Sequence, residues 1–323
     1  MTGAAPAGPA AGTGAIAGTG AIAGTGATGA IAATEADISC CHSANSTQAT
    51  AAAGWLRRAR PLLGTLVEIG VPADSSDSAD SADPAAALAA AFDVIARLQQ
   101  VLSRFDDDSD LARFARLPVG HSLALRPAGA RALRAAQALR QASGGLFDIS
   151  LGSAPSGWRC QGSRLHKLSP AVQLDLGGIA KGLAVDEAVR TLRRAGCTAG
   201  WVNAGGDLRV FGPVALPLHL RDEQRGGVVA IGSLAEGAFA TSHYGNGSRS
   251  RLHAPARPGA PRATPAACHP ATLGAPRAAP ASCHVSVAAP RALWADALTK
   301  VVALSGDADH PLLARLGARA WLH

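Results

Sequence analysis

The stretch from Leu174 to Asp207 constrains this chain more than any other, because strand, glycine-turn and helix patterns follow one another there without interruption. Gln173-Leu-Asp-Leu176 alternates as a short strand does. Gly177 and Gly178 follow, and a helical pattern then runs from about Ile179 to Ala195. Ala184, Ala188 and Leu192 lie four apart on one face, with Val185 and Val189 beside them, and Gly196 supplies the stop. The next strand, about Ala199 to Asn203, ends in Gly205-Gly206-Asp207. Asp175 thus leaves a strand just before a glycine pair, and Lys181 stands one turn into the following helix. Exposed N–H groups at a glycine turn and the positive end of a helix both attract anions, so the pattern suits a phosphate. A tight packing turn with a solvated lysine accounts for the same residues equally well.

Lys181 gains weight from its rarity. The only lysines are Lys167, Lys181 and Lys300, leaving 27 of the 30 basic residues as arginine. Arginine cannot replace lysine where a compact ammonium is needed, so Lys181 and Lys300 invite a chemical reason. The net charge of +7 does not imply nucleic acid, because the arginines are scattered and not interleaved with aromatic residues. Apolar residues make up 48% of the 323, enough for a substantial core. No apolar run approaches a transmembrane length. The six cysteines contain no C-x-x-C pair. Cys268-His269 and Cys283-His284 resemble metal ligands but belong to a duplication: Gly259 to His269 recurs, with two changes, as Gly274 to His284.

Residues 1–53 are low in complexity, with Gly12 to Ala17 repeated at Gly18 to Ala23, and are expected to be disordered. They lack a basic n-region and a continuous apolar segment, and Asp37 stands where a lipoprotein cleavage site needs an aliphatic residue. The domain is expected at 55–323. It opens with a strand from Leu62 to Val71, with Thr65, Val67, Ile69 and Val71 on one face, and an acidic loop from Asp74 to Asp83. Asp83 then caps a helix with Pro84 at its first position and a stripe of Leu88, Phe92, Ile95, Leu98 and Leu102. Ser109 caps a short helix from Asp110 to Arg116, and another helix runs from about Pro127 to Ala142. Short strands are expected at Leu216 to Leu220, Val228 to Ile231, Ala238 to Thr241 and Val285 to Val287. A Pro/Ala/Arg-rich loop with the tandem repeat occupies 243–284. A helix from Ala292 to Leu304, one near Pro311 and a strand to Trp321 close the chain. No regular βαβ rhythm appears, so the pattern predicts an α+β fold of mixed sheets with packed helices.

Four constellations stand apart from the packing pattern. Gly145-Leu-Phe-Asp148 presents a ring beside a carboxylate, although Phe147 reads equally as core. The others are Asp175 to Lys181, Asn203 to Asp207, and Asp296 with Thr299 and Lys300. Asp296 and Thr299 share a helical face at i, i+3, where a carboxylate and a hydroxyl could meet one hard cation. Their joint order resembles the FAD:protein FMN transferases, also described as the thiamine biosynthesis lipoprotein family. The shared elements are Leu63-Gly-Thr65, Ser103-Arg-Phe105 with Ser109, Gly145 to Asp148, Leu174 to Asp186, Asn203 to Asp207, Ala240-Thr-Ser242, His253 to Gly259 and Ala295 to Lys300. The resemblance runs in order from Arg57 to the C-terminus, and its central motif is the specific one.

The resemblance implies a single T-fold-like domain that binds FAD and, with magnesium, transfers FMN to a threonine hydroxyl of an acceptor flavoprotein, releasing AMP. Leu63, Phe105, Leu146, Phe147 and Asp148 would line the flavin and adenine pockets. Asp175, Lys181 and His253 would also bind FAD, and Asp296 and His253 would be catalytic. Gly178, through its carbonyl, Asp296 and Thr299 would hold magnesium. Three departures bear on this, the third being the repeat insertion directly after His253 to Gly259. Lys300 stands where the family has threonine, with Thr299 one residue earlier, and His253-Ala-Pro-Ala-Arg-Pro-Gly259 lacks the family's acidic residue. An accessory protein that binds FAD without transfer, and a magnesium-dependent FAD hydrolase, are the alternatives these departures raise. Without a convincing export signal the expected location is cytoplasmic, the alternative being the periplasmic side of the inner membrane where lipoprotein relatives work.

Overall fold

The computed structural model describes residues 54–73, 83–222, 226–245 and 282–323. The low-complexity segment 1–53, His253 and most of the repeat lie outside the described residues. Strands β1 (Trp55–Leu62) and β2 (Thr65–Pro72) form an antiparallel hairpin where one strand was expected. The apolar alternation is continuous across Leu62, but Leu63 and Gly64 both take positive φ (56° and 71°), which turns the chain back. Positive φ is uncommon for a leucine. Here its N–H is held by Gln99 Oε1 at 2.6 Å.

The predicted caps are present. Helix α1 (Pro84–Leu102) starts at Asp83, whose carboxylate accepts from the Ala85 N–H at 2.8 Å. Helix α2 (Asp110–Ala115) starts at Ser109, whose hydroxyl accepts from the Ala112 N–H at 2.9 Å. Each satisfies a donor that a helix start leaves unpaired. By length and composition α1 could cross a membrane, but its Leu88, Phe92, Ile95, Leu98 and Leu102 are buried in the protein core. After it come β3 (Ser122–Ala124), α3 (Pro127–Ala142), β4 (Trp158–Gln161) and β5 (Arg164–Lys167). Strands β4 and β5 were not predicted: they are short and half polar, so only Trp158, Cys160, Leu165 and Lys167 turn inward.

Gln173–Leu176 is not a strand. Leu174 and Leu176 are buried, but the backbone has no ladder, and the Asp175 N–H donates to the Ile149 carbonyl at 2.8 Å. The alternation there reflects burial without a sheet partner. Beyond it lie α4 (Ala180–Arg194), β6 (Gly200–Ala204) and β7 (Asp207–Phe211). Gly205 and Gly206, at φ 63° and 103°, connect β6 to β7, and a Cβ on Gly205 would lie 2.2 Å from Thr65 Oγ1. The conformation favours glycine and the contact leaves no room for a larger residue.

The chain continues through β8 (Leu216–Arg221), β9 (Val228–Leu234), β10 (Gly237–Gly245), β11 (Ser282–Ala289), α5 (Ala292–Ser305), α6 (Pro311–Arg315) and β12 (Arg319–Leu322). The main sheet is ordered β1-β2-β6-β7-β10-β11-β12, with β1 and β12 as open edges and every pair antiparallel. Two smaller sheets, β3-β5-β4 and β8-β9, accompany it. The α+β expectation holds. β10 and β11 pair from Ala238↔Ala289 to Gly245↔Ser282, so strand structure extends into both ends of the expected loop at 243–284.

Helices α4 and α5 lie together beneath the sheet, and neither begins with a side-chain cap of its own. Each is capped by the other. Asp186 of α4 accepts from the Ala292 and Leu293 N–H groups at 2.9 and 3.2 Å, and Asp296 of α5 accepts from the Gly182 N–H at 3.2 Å. The approach is close: a Cβ on Gly182 would lie 2.2 Å from the Ala292 carbonyl oxygen. Arg209 and Arg291 close on Asp186 at 2.5 and 3.3 Å. Removing one member of a buried, hydrogen-bonded charge group costs about 3–5 kcal/mol. Asp186→Ala should therefore shift the urea midpoint down by a corresponding amount, whereas Glu236→Ala, which breaks the exposed pair with Arg193, should stay within about 0.5 kcal/mol.

Candidate functional site

The glycine turn before α4 is where the predicted residues converge. Gly178 lies between Phe147 and Lys300: a Cβ there would sit 3.6 Å from Phe147 Cε2 and 3.3 Å from Lys300 Cε. Phe147 is buried and belongs to the hydrophobic core, so it supports this turn from beneath. Asp148, next in sequence, is 7% exposed at its side chain and is committed to a turn. It accepts from the Ser150 N–H at 3.0 Å, the Ser150 hydroxyl at 2.7 Å and the Gly152 N–H at 3.3 Å. Leu146 is half-buried against the core, and Leu63 sits in the β1–β2 turn held by α1.

Asp175 links this turn to the surface aromatic. One carboxylate oxygen accepts from the Gly177 N–H at 2.7 Å and the other pairs with Arg104 at 3.0 Å. The Arg104 guanidinium in turn lies over the Phe105 ring, 4.8 Å from its centroid. Phe105 itself is 85% exposed. With the arginine over one face and the rest of the ring exposed, the arrangement can take a planar heterocycle on its open face.

Behind the turn lies a cluster of four charges: Lys181, Asp207, Asp296 and Lys300. Lys181 Nζ donates to Asp207 Oδ2, and the Asp207 side chain is 3% exposed. Lys300 Nζ donates to Asp296 Oδ1 at 2.5 Å, to the Asp296 carbonyl at 2.9 Å and to Ser242 Oγ at 3.3 Å. Thr299 Oγ1 donates to the Asp296 carbonyl at 2.7 Å, lies 2.9 Å from Ser242 Oγ and accepts from Tyr244 Oη at 3.4 Å. Burial penalises the charged forms of both lysines, but Asp207 raises Lys181 and Asp296 raises Lys300 above the ordinary lysine range, so both are ammoniums at neutral pH. Burial also pushes up on Asp296, but Lys181 and Lys300 outweigh it and hold this carboxyl below its usual range. Asp207 goes the other way: burial and repulsion from Asp296 raise it beyond what the lysines offset.

These contacts decide whether the residues expected to hold magnesium can do so. Asp296 has both oxygens engaged, Thr299 has its proton and its lone pairs committed, and the Lys300 stem covers Gly178. A magnesium site needs near-octahedral oxygen donors. A dication about 4 Å from an ammonium would be repelled by about 8 kcal/mol at an effective dielectric of about 20, twice the value for unit charges. Among the described residues, no three His, Cys, Asp or Glu side chains gather as metal ligands do. With Lys300 in place the set does not fit a divalent cation.

Sequence reasoning thus located Gly178, Lys181, Asp296 and Thr299 in one place but did not assign Asp207, Ser242 or Tyr244 to it. The available signal was charge balance. Two scarce lysines near one carboxylate call for a second, and Asp207 stands in a quoted motif.

The ApbE family model matches residues 63–168 and 156–320, and the chain belongs to that family. It is 28% identical over 243 residues to a protein named FAD:protein FMN transferase from Rhodobacter capsulatus, covering 64% of this chain and 44% of the relative. The chain therefore spans less than half the length of that curated relative. The ApbE protein of Thermotoga maritima superposes with a TM-score of 0.63 at 21% identity, over 83% of this chain and 94% of that one. The Vibrio cholerae flavin transferase ApbE does so with 0.60 at 18% identity, over 84% and 97%. These two likenesses establish the fold.

Because Lys300 is raised, the stability it contributes is fully present below the unfolded lysine pKa of about 10.4 and is lost only as pH rises through the higher folded value. Lys300→Met should cost about 3–5 kcal/mol, the deficit staying level from about pH 6 to 10 and narrowing above. Urea unfolding of both proteins across that range checks the sign.

Proposed function

We propose that this chain transfers the FMN moiety of FAD to a threonine hydroxyl of an acceptor flavoprotein. In the step, the threonine oxygen bonds to the phosphorus of the FMN half. The bridging P–O bond breaks with its electron pair going to the departing AMP, and the hydroxyl proton is lost to the medium. Phosphoryl transfer of this kind asks a protein mainly for positioning and charge neutralisation.

The observation that carries the reading is the joining of two halves at one glycine turn. On one side Asp175 and Arg104 hold out Phe105, which suits stacking on an isoalloxazine or adenine ring. On the other, Lys181 is a third exposed and spends one bond on Asp207, leaving N–H donors for a pyrophosphate. The Gly177–Gly178 turn and the start of α4 add backbone polarity of the right sign. Membership of the ApbE family and the named activity of the Rhodobacter relative support the same chemistry. Magnesium has no part in this reading, because Lys300 takes the Asp296 carboxylate and the Thr299 hydroxyl is spent on the Asp296 carbonyl, Ser242 and Tyr244.

Incubating the purified chain with FAD and an acceptor domain bearing a threonine should give acceptor with covalent flavin fluorescence and an equal amount of AMP. AMP without labelled acceptor would instead identify hydrolysis, and bound FAD without either product an accessory role. Phe105 makes no core contact, so Phe105→Ala should leave stability within about 0.5 kcal/mol. Losing one stacked ring at about 1–3 kcal/mol should weaken FAD binding by roughly 5- to 150-fold. Fluorescence quenching titrations of both proteins measure it.

A further inference from the structure

Lys300 is the residue that the proposed chemistry leaves without an ordinary explanation. Its ammonium lies deep in the cluster with all three N–H donors used, on the Asp296 carboxylate, the Asp296 carbonyl and the Ser242 hydroxyl. It has no donor left for a substrate. Its stem passes against Gly178, and Thr299 backs it through Ser242 and the Asp296 carbonyl. A carboxylate, a main-chain carbonyl and hydroxyls are the oxygens a hard cation takes. Here one end of a side chain takes them.

We propose that the Lys300 ammonium is a built-in cation that replaces a divalent metal in this chain, so that FAD is bound and processed without one. Resting on the flavin-transfer reading, the idea deepens it by saying which charge supports the phosphates. The cluster holds two ammoniums and two carboxylates, and the positive member beside Gly178 is covalently tethered, always present and independent of metal supply. Its position next to the glycine turn places fixed positive charge behind Lys181, which alone has donors to spare. The arrangement exchanges the stronger field of a dication for permanence.

The test uses the full chain and two variants, Lys300→Thr and Lys300→Met, each of which frees Asp296. Titration with Mn2+, followed by loss of its free electron-spin-resonance signal, should show one site in the variants that is at least about tenfold tighter than any site in the wild type. Mg2+ should displace the ion from that site and raise the variants' melting temperature while leaving the wild type unmoved. FAD affinity of the wild type should agree within about twofold between excess EDTA and excess Mg2+, whereas the variants should gain about tenfold on adding Mg2+. Identical Mn2+ isotherms for wild type and variants would overturn the proposal, as would loss of wild-type FAD binding in EDTA. If neither variant folds, the wild-type comparison in EDTA and Mg2+ decides alone. Absence of FAD binding under every condition would reject the flavin reading, and the Mn2+ isotherms would still judge the tethered cation.

Discussion

Two helices that cap each other hold this protein's site together. Asp186 of α4 accepts from the first N–H groups of α5, and Asp296 of α5 accepts from the Gly182 N–H in the first turn of α4. A helix start leaves up to four donors unpaired, and burying them unpaired is costly. Here the exchange satisfies two of them at the start of α5 and one at the start of α4, and fixes the two starts against each other at a distance only glycine at position 182 permits. Lys181 and Asp296 are therefore placed by the same contact that joins the helices. The geometry of the charge cluster and the packing of the helices cannot be altered separately here.

That dependence also explains how far the sequence could be read. Local chemistry was legible: the caps at Asp83 and Ser109, the stripe of α1, the glycine turn and the helix after it all appear where their spacing put them. Gln173–Leu176 failed because alternation reports burial and not hydrogen bonding, and its leucines reach the core without a ladder. The β1–β2 turn failed because a leucine at positive φ gives no turn signal of its own. Family resemblance brought Gly178, Asp296 and Thr299 to one point. It could not say that Lys300 would fold back onto Asp296 and beside Gly178, because that depends on Ser242 and Asp296 offering oxygens from separate elements.

The residues named for flavin binding divide by what else they do. Asp148 and Phe147 are consumed by the turn and the core that support Gly178. Phe105, exposed beyond the Arg104 guanidinium that lies over it, and Lys181, with donors remaining, retain capacity for a ligand. In this chain the exposed groups are therefore few, and apart from Lys181 the charge cluster behind them is largely buried.

The β10–β11 pairing carries a consequence for the segment between its strands. Ser242 and Tyr244, which reach Thr299, are placed by the ladder from Ala238↔Ala289 to Gly245↔Ser282, and the ladder's register is set by the strands themselves. Residues 246–281 lie between those strands in sequence. Doubling such a connection costs only about 0.6 kcal/mol of closure entropy. The two versions ending at His269 and His284 are such a doubling in sequence, and the second copy supplies Ser282, Cys283 and His284 to the ladder opposite Gly245, Tyr244 and His243. Closure entropy thus leaves the length of the connection open to change, whereas the last three residues of the second copy are held by the strand register beside Tyr244.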